Sequence, residues 1–255
     1  MSSVKIITLG WLAASTLALT AFVSKGHTNA KINTTDKGFA VVELFTSEGC
    51  SSCSPADAVV AKIEKESTDK PIYILAFHVD YWNRLGWKDV FSSAQYSSRQ
   101  NQYASWLHLE SVYTPQIVVN GTTEFVGSEE GTLRNAIKTG LQKDAAAQII
   151  LSNIKLGQNK ATLQYQTQGT MANTVLLLAV IQKSAQTRVE RGENGGRTLS
   201  HVQIVRSLQS FTLKASDGTA VIALPNGFDA QGSELIAFLQ NTSNGAITGA
   251  TKAEF

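Results

Sequence analysis

The sequence predicts an α/β domain followed by an antiparallel, β-sandwich-like domain. Three observations carry that expectation. Between Phe39 and Ala147, short apolar strand-like runs alternate with segments of helical spacing. From Gln148 onward strand-like runs follow one another at short intervals, separated by Gly, Asn, Ser and Asp turns and without helical stretches. The composition, 43% hydrophobic and 16% charged over 255 residues, builds cores and excludes a largely disordered chain. The expected organisation is a signal peptide at 1–30, the α/β domain at 36–146 and the sandwich-like domain at 147–255.

The N-terminus carries Lys5, then Ile6 to Val23 without a charge, then Lys25 and a polar stretch ending Thr28-Asn29-Ala30. A basic start, an apolar run and a small residue at the cleavage position make a secretory signal. The run is long for such a segment, and an uncleaved anchor is the other reading; both put the remainder in the periplasm or outside the cell. Loss of residues 1–30 removes two lysines and no acid, so 22 basic against 20 acidic residues becomes an even balance. No Lys/Arg run or basic stripe remains, so nucleic-acid partners are not expected, nor is stable membrane insertion of the mature chain.

The elements follow in order. Phe39 to Phe45 is a β-branched and aromatic strand closed by Thr46-Ser47-Glu48-Gly49. Pro55 to Glu66 reads as a helix, with Pro55 tolerated in its first turn. Ile72 to Val79 is apolar nearly throughout, as a strand covered on both faces should be. Together they predict a right-handed βαβ unit. Asp80 to Glu110 concentrates aromatics (Tyr81, Trp82, Trp87, Phe91, Tyr96, Tyr103, Trp106), with Ser93 to Leu107 helical. These rings either pack an inserted helical layer or face a substrate. Strands at Gln116–Val119 and Thr123–Val126 flank an Asn120-Gly121 turn, and Thr132 to Lys143 is a helix. The later strands are expected at Ile149–Leu156, Ala161–Gln168, Val175–Gln182, Val202–Leu208, Ala220–Leu224 and Leu235–Gln240.

The chemistry sits in Cys50-Ser51-Ser52-Cys53, at the junction of the first strand and the first helix. A thiol there faces unpaired backbone N–H groups and the positive end of the helix dipole, which favour the thiolate that exchange requires. The spacing puts the second sulfur one turn away, within reach of a mixed disulfide at the first. Cys50 is therefore the candidate nucleophile and Cys53 the resolving thiol. A purely structural bridge is the alternative, yet closing a loop of four residues stabilises by only about 2 kcal/mol, a poor staple. Zinc would want four ligands, and no second Cys pair or H-x3-H exists. A copper site using Cys50, Cys53 and His78 is a further alternative; the primary expectation is no metal and no cofactor beyond the Cys50–Cys53 disulfide.

The CxxC after a strand, and Thr114-Pro115 before a Val-rich strand with Asn-Gly after it, resemble the thioredoxin fold over about Phe39 to Lys143. More narrowly, VELFTSEGCSSC, AFHVDYWNRLGWKD, VYTPQIVVNG and RGENGGRTLSH resemble the DUF1223 family of bacterial secreted thioredoxin-like proteins. The resemblance implies a cis Pro115 lying against the CxxC, with Thr114 pairing the backbone of a bound substrate. Ser54 departs from the family pattern, standing where a proline is expected.

Neighbouring groups invite roles. Glu43 is a candidate for a buried proton-relay carboxylate, but it lies seven positions before Cys50, a parity that turns it to the opposite sheet face. His78 and Asp80 close the second strand at the edge where an α/β sheet presents ligands. Glu48 and Asp57 flank the thiols with no basic residue near in sequence, so the Cys50 thiol is expected to be only mildly acidified. Arg188 to Arg197, dense in charge and glycine, is either a loop folded toward the CxxC or a solvated hairpin loop. No G-x-S-x-G, H-E-x-x-H, G-x4-G-K-[ST] or G-x-G-x-x-G occurs, so hydrolase and nucleotide chemistry have no motif to rest on. The expectation is a secreted thiol-disulfide oxidoreductase acting on protein or small-molecule thiols and disulfides, served by a redox partner; a non-catalytic binding module is the competing class.

Overall fold

The structure, a computed structural model, describes Met1, residues 38–169 and residues 172–255. The segment expected to be a signal peptide, residues 1–30, therefore lies outside the described residues, apart from Met1. Among the described residues no helix is long and apolar enough to cross a membrane.

Strand β1 (Ala40–Thr46) leads through a short 3-10 turn at Ser51–Cys53 into helix α1 (Ser54–Glu66), and β2 (Ile72–His78) returns parallel to β1. Helix α2 (Ala94–Leu107) starts on Ser93, whose hydroxyl accepts the Gln95 N–H at 3.2 Å. It stops at His108 in the left-handed conformation. Strands β3 (Gln116–Val119) and β4 (Thr123–Val126) form a hairpin whose first strand, β3, pairs antiparallel with β1. Its turn holds Asn120 and Gly121 at positive φ (48° and 70°), the geometry that matches the twist of paired strands. A Cβ on Gly121 would stand 1.9 Å from the Gly245 carbonyl oxygen, so only glycine fits. Helix α3 (Glu130–Gln142) follows.

The second half contains β5 (Ala147–Leu156), β6 (Lys160–Gly169), β7 (Thr174–Arg188), β8 (Thr198–Thr212), β9 (Asp217–Ala223), β10 (Ser233–Asn241) and β11 (Ile247–Glu254). Strands β7 and β8 run to 15 residues each, well beyond their apolar stretches, and β11 stands where periodicity marks no strand.

Eight strands form one mixed sheet in the order β11-β10-β7-β8-β2-β1-β3-β4, and β5-β6-β9 form a second. The division at 145–147 is thus a change of architecture within one compact unit. The sheet runs across it because β8 lies parallel to β2, with Ala76 opposite Ile204. Alternation assigns the faces. Val41, Phe45, Leu75, Phe77, Leu177, Ala179 and Phe238 share one core with Tyr96 and Tyr103 of α2. Val42, Leu44, Ile74 and Ile117 point the other way, against α1 and α3. Farther along that second face, Leu176, Leu178, Leu235 and Leu239 pack on Ile149, Leu163 and Ile222 of the three-stranded sheet. The aromatic-rich segment largely serves the first core: Tyr96 and Tyr103 are buried, and Tyr81, Trp82 and Trp106 pack partly against it.

Candidate redox site

The end of β1 and the start of α1 place the two sulfurs. The turn after Thr46 closes with the Cys50 N–H on the Ser47 carbonyl, 3.1 Å, and the 3-10 turn with the Cys53 N–H on the Cys50 carbonyl, 3.2 Å. Cys50 and Cys53 are joined as a disulfide, their Cα atoms 5.4 Å apart, and neither has any exposed surface. Ser54 starts the helix proper and Pro55 lies in its first turn, where a missing N–H leaves nothing unpaired.

The Thr114-Pro115 peptide is cis, and the Thr114 hydroxyl donates to Cys50 Sγ at 3.4 Å. That hydroxyl in turn accepts the Trp82 indole N–H at 2.8 Å. Residues 64 positions apart in sequence thus meet at the first sulfur because β3 lies beside β1. Ser52 Oγ lies 3.4 Å from the same sulfur on the outer side.

Beside the strand ends lies a buried cluster of five titratable groups: Glu48, Asp57, His78, Asp89 and His201. His78 Nδ1 meets Asp89 Oδ2 at 2.7 Å. Asp89 also accepts the N–H groups of Glu48 and Phe91, at 2.8 and 2.9 Å. Burial, reinforced against the positive form by the loss of water, opposes charge on His78, but Asp89, then Asp57 and Glu48, outweigh it and hold the imidazole above its ordinary value. Burial likewise pushes against the Asp89 carboxylate, and His78 together with the two backbone N–H groups turns the balance downward. Asp57 follows Cys53 by one helical turn and accepts from the Thr46 hydroxyl at 3.2 Å. Burial raises it to about 6 against the pull of His201 and His78. His201, from β8, lies 3.6 Å from Glu48 and 3.9 Å from Asp57. Glu48 Oε1, His78 Nε2 and both His201 ring nitrogens are buried without a hydrogen-bond partner among the described residues. Glu48 Oε2 accepts the Trp87 indole N–H at 2.7 Å. Among the described residues no three His, Cys, Asp or Glu side chains are arranged to hold one metal ion.

The other predicted residues lie elsewhere. Glu43 faces the α2 side of the sheet, fully buried, where Arg99 grips its carboxylate through Nε and Nη2 and the Tyr103 hydroxyl donates to it. Asp80 accepts from the Ser97 hydroxyl and ties the end of β2 to α2. The Arg188–Arg197 stretch, by contrast, comes to the disulfide. Asn194, fully buried, donates Nδ2 to the carbonyls of Glu48 (2.9 Å) and Cys50 (3.1 Å). Glu193 Oε2 accepts the Ser51 N–H at 3.0 Å. Sequence reading passes over Asn194, Asp89 and His201 as site residues. For Asn194 the signal is its place in the charged, glycine-rich Arg188–Arg197 loop expected as one reading to fold toward the CxxC; for Asp89 and His201 it is placement alone, each being brought in by a segment remote from the cysteines.

Strand, disulfide-bearing turn, helix and parallel strand, with a Thr-Pro peptide against the first sulfur, define a mixed α/β protein built around a CxxC disulfide. A family described as a protein of unknown function, DUF1223, matches residues 41–240, and the chain belongs to that family. A crystal structure of a protein from Agrobacterium tumefaciens is similar with a TM-score of 0.63 and 26% identity, covering 84% of this chain and 93% of that one. HBP35 of Porphyromonas gingivalis is similar with a TM-score of 0.62 and 16% identity over 86% of this chain and 76% of that one, a likeness of fold alone. No protein with a curated description matches.

Proposed function

We propose that this protein is a thioredoxin-like thiol-disulfide oxidoreductase that works outside the cytoplasm, after export by its N-terminal signal. The observation that carries the reading is the contact between Thr114 and Cys50: a Thr-Pro peptide from β3 set against the first sulfur of a disulfide at a strand-to-helix junction. In support, β1, α1 and β2 form the parallel unit on which such a site is built, with the β3–β4 hairpin and α3 beside it.

Exchange runs as two displacements. A substrate thiolate attacks Cys50 Sγ, forming a mixed disulfide and releasing Cys53 as thiolate. A second substrate thiolate then displaces the Cys50 thiolate, leaving an oxidised substrate and a reduced CxxC. Each step forms one S–S bond and breaks one, and the reverse sequence carries the same two electrons back. Asp57, one turn after Cys53 and half-protonated near pH 6, accepts or returns the proton of Cys53. The Thr114 hydroxyl donates to the Cys50 thiolate, and the backbone of Thr114 pairs the substrate chain. The substrates are proteins or small molecules bearing thiols or disulfides, and a separate redox partner resets the pair. The disulfide itself is the only redox group required.

Cys53→Ser protein exposed to an extract of the exported proteins should accumulate mixed disulfides through Cys50, visible on non-reducing gels and lost on reduction. Cys50→Ser should accumulate none. Failure of Cys53→Ser to capture any partner overturns the reading.

A further inference from the structure

The buried disulfide poses a problem for exchange. A thiolate must approach Cys50 Sγ along the line of the S–S bond, yet both sulfurs have no exposed surface. Bound to the backbone on both sides of Cys50 is the tip of the β7–β8 hairpin, residues 189–197. Asn194 is its innermost group, completely buried, and its single amide nitrogen holds two carbonyls, one on each side of Gly49. Glu193, the residue before it, is exposed and takes the Ser51 N–H, the first donor after Cys50. Asn194 Oδ1 is held in turn by Arg197 at 2.6 Å.

The tip is shaped to move as one piece. Val189 and Arg197 pair across it (N to O, 2.9 Å), the Gly196 N–H returns to the Val189 carbonyl at 2.8 Å, and the Gly195 N–H to Gly192 at 3.1 Å. Gly192 and Gly196 sit at φ of 76° and 84°, which other residues rarely adopt. Among the described residues the tip is hydrogen-bonded to the CxxC turn through Glu193 and Asn194, and a Cβ added at Gly192 would lie 3.6 Å from the Trp87 Cβ.

We infer that the β7–β8 hairpin tip is a latch over the Cys50–Cys53 disulfide, pinned by Asn194 and Glu193, and that exchange proceeds only from the lifted state. The inference rests on the exchange reading and adds its regulation. A small dithiol reacts at a rate set by how often the latch opens, and a protein substrate gains access by replacing the latch's hydrogen bonds to the Ser51 N–H and the Cys50 carbonyl with those of its own backbone. Glu193 and Asn194 are positioning residues; neither takes part in sulfur chemistry.

The test is the rate at which dithiothreitol reduces the purified full chain, with the equilibrium constant for the same exchange measured alongside. Asn194→Ala should be reduced at least tenfold faster than the parent, and the exposed Glu193→Ala about threefold faster, each with its equilibrium constant changed by less than threefold. Amide exchange at Ser51 should also quicken in Asn194→Ala, where its acceptor Glu193 is still present. Parent-like rates in both variants, or in Glu193→Ala alone where Asn194→Ala does not fold, overturn the latch. Rates raised as expected, with no partner trapped by Cys53→Ser, would keep the latch and remove the oxidoreductase. Trapped partners with parent-like rates would do the reverse.

Discussion

His78 and Asp89 meet at 2.7 Å with neither side chain exposed to solvent. The pair fixes the sign of a pH response. His78 is held above its ordinary value, so its share of stability is complete below about 6.5 and is lost as pH rises through its folded value. Asp89 is held below its ordinary value, so its share is complete above about 3.9 and is lost as pH falls through its folded value. Asp89→Asn should therefore flatten both limbs of a plot of urea-unfolding free energy against pH. It should also cost about 3–5 kcal/mol between them, since a buried ion pair loses one partner. A variant with the parent's pH profile would show that the pair does not carry this dependence.

Asp57 works in the opposite direction. With its carboxyl raised to about 6, the native state holds a proton that the unfolded chain releases near 4, so this group's contribution to stability falls as pH climbs between those values. Its side chain is 12% exposed, and the loss is at most about 3 kcal/mol. Asp57→Asn should remove that limb, leaving the protein more stable at pH 7, while slowing exchange there because the proton acceptor for Cys53 is gone. Greater stability with an unslowed exchange rate would mean that the carboxyl has no part in proton transfer.

Glu43 and Arg99 separate a relay role from a structural one. Arg99 is packed among Phe77, Tyr103 and Phe238 and donates to both Glu43 oxygens as well as to Gln240. Arg99→Met should destabilise by about 3–5 kcal/mol by leaving a carboxylate buried and unpaired, and adding Glu43→Leu should recover most of that. Thermal or denaturant unfolding measures the cost. The rate of reduction by dithiothreitol should stay at the parent value in the folded double variant; a tenfold fall would restore Glu43 to the chemistry.

Thr114→Val tests the contact at the first sulfur. The reduced parent should show a Cys50 thiol only mildly below the ordinary value near 8.5, because the Thr114 hydroxyl favours the thiolate while the carboxyl groups of Glu48 and Asp57, largely balanced by His78 and His201, leave little net positive field to add to it. Removing the hydroxyl takes one donor from the thiolate and leaves the Trp82 N–H without its acceptor, so the thiol should rise by about one pH unit. Ultraviolet titration reads both values. A parent thiolate fully formed in mild acid, or a variant that titrates with the parent, would contradict this account.

Local signals are legible in the sequence where punctuation is strong. Pro115 and Asn120-Gly121 bracket β3 and open β4, and both strands fall at the expected positions. Strand β11 escapes because Ile247–Glu254 is small and mixed, with Gly249, Ala250 and Lys252, and takes its strand character from lying beside β10. The same holds for the outer ends of β7 and β8, whose polar residues pair with each other. At the site, the cysteines and Thr114-Pro115 are visible as motifs. The charge and glycine of Arg188–Arg197 mark the segment that holds Asn194 without singling that residue out, and His201 carries no mark at all, because what places both is the parallel alignment of β8 with β2.

The alignment of Ala76 with Ile204 also bears on how the molecule can be divided. A fragment ending at the change of pattern near residue 146 would leave β2 as an open edge, with Leu75, Phe77 and an unpaired row of backbone groups in water. Such a piece is a template for self-association, not a free-standing redox unit. The β-rich half is the missing neighbour of β2: the sheet that carries the CxxC is closed on that side only while β8 lies beside it.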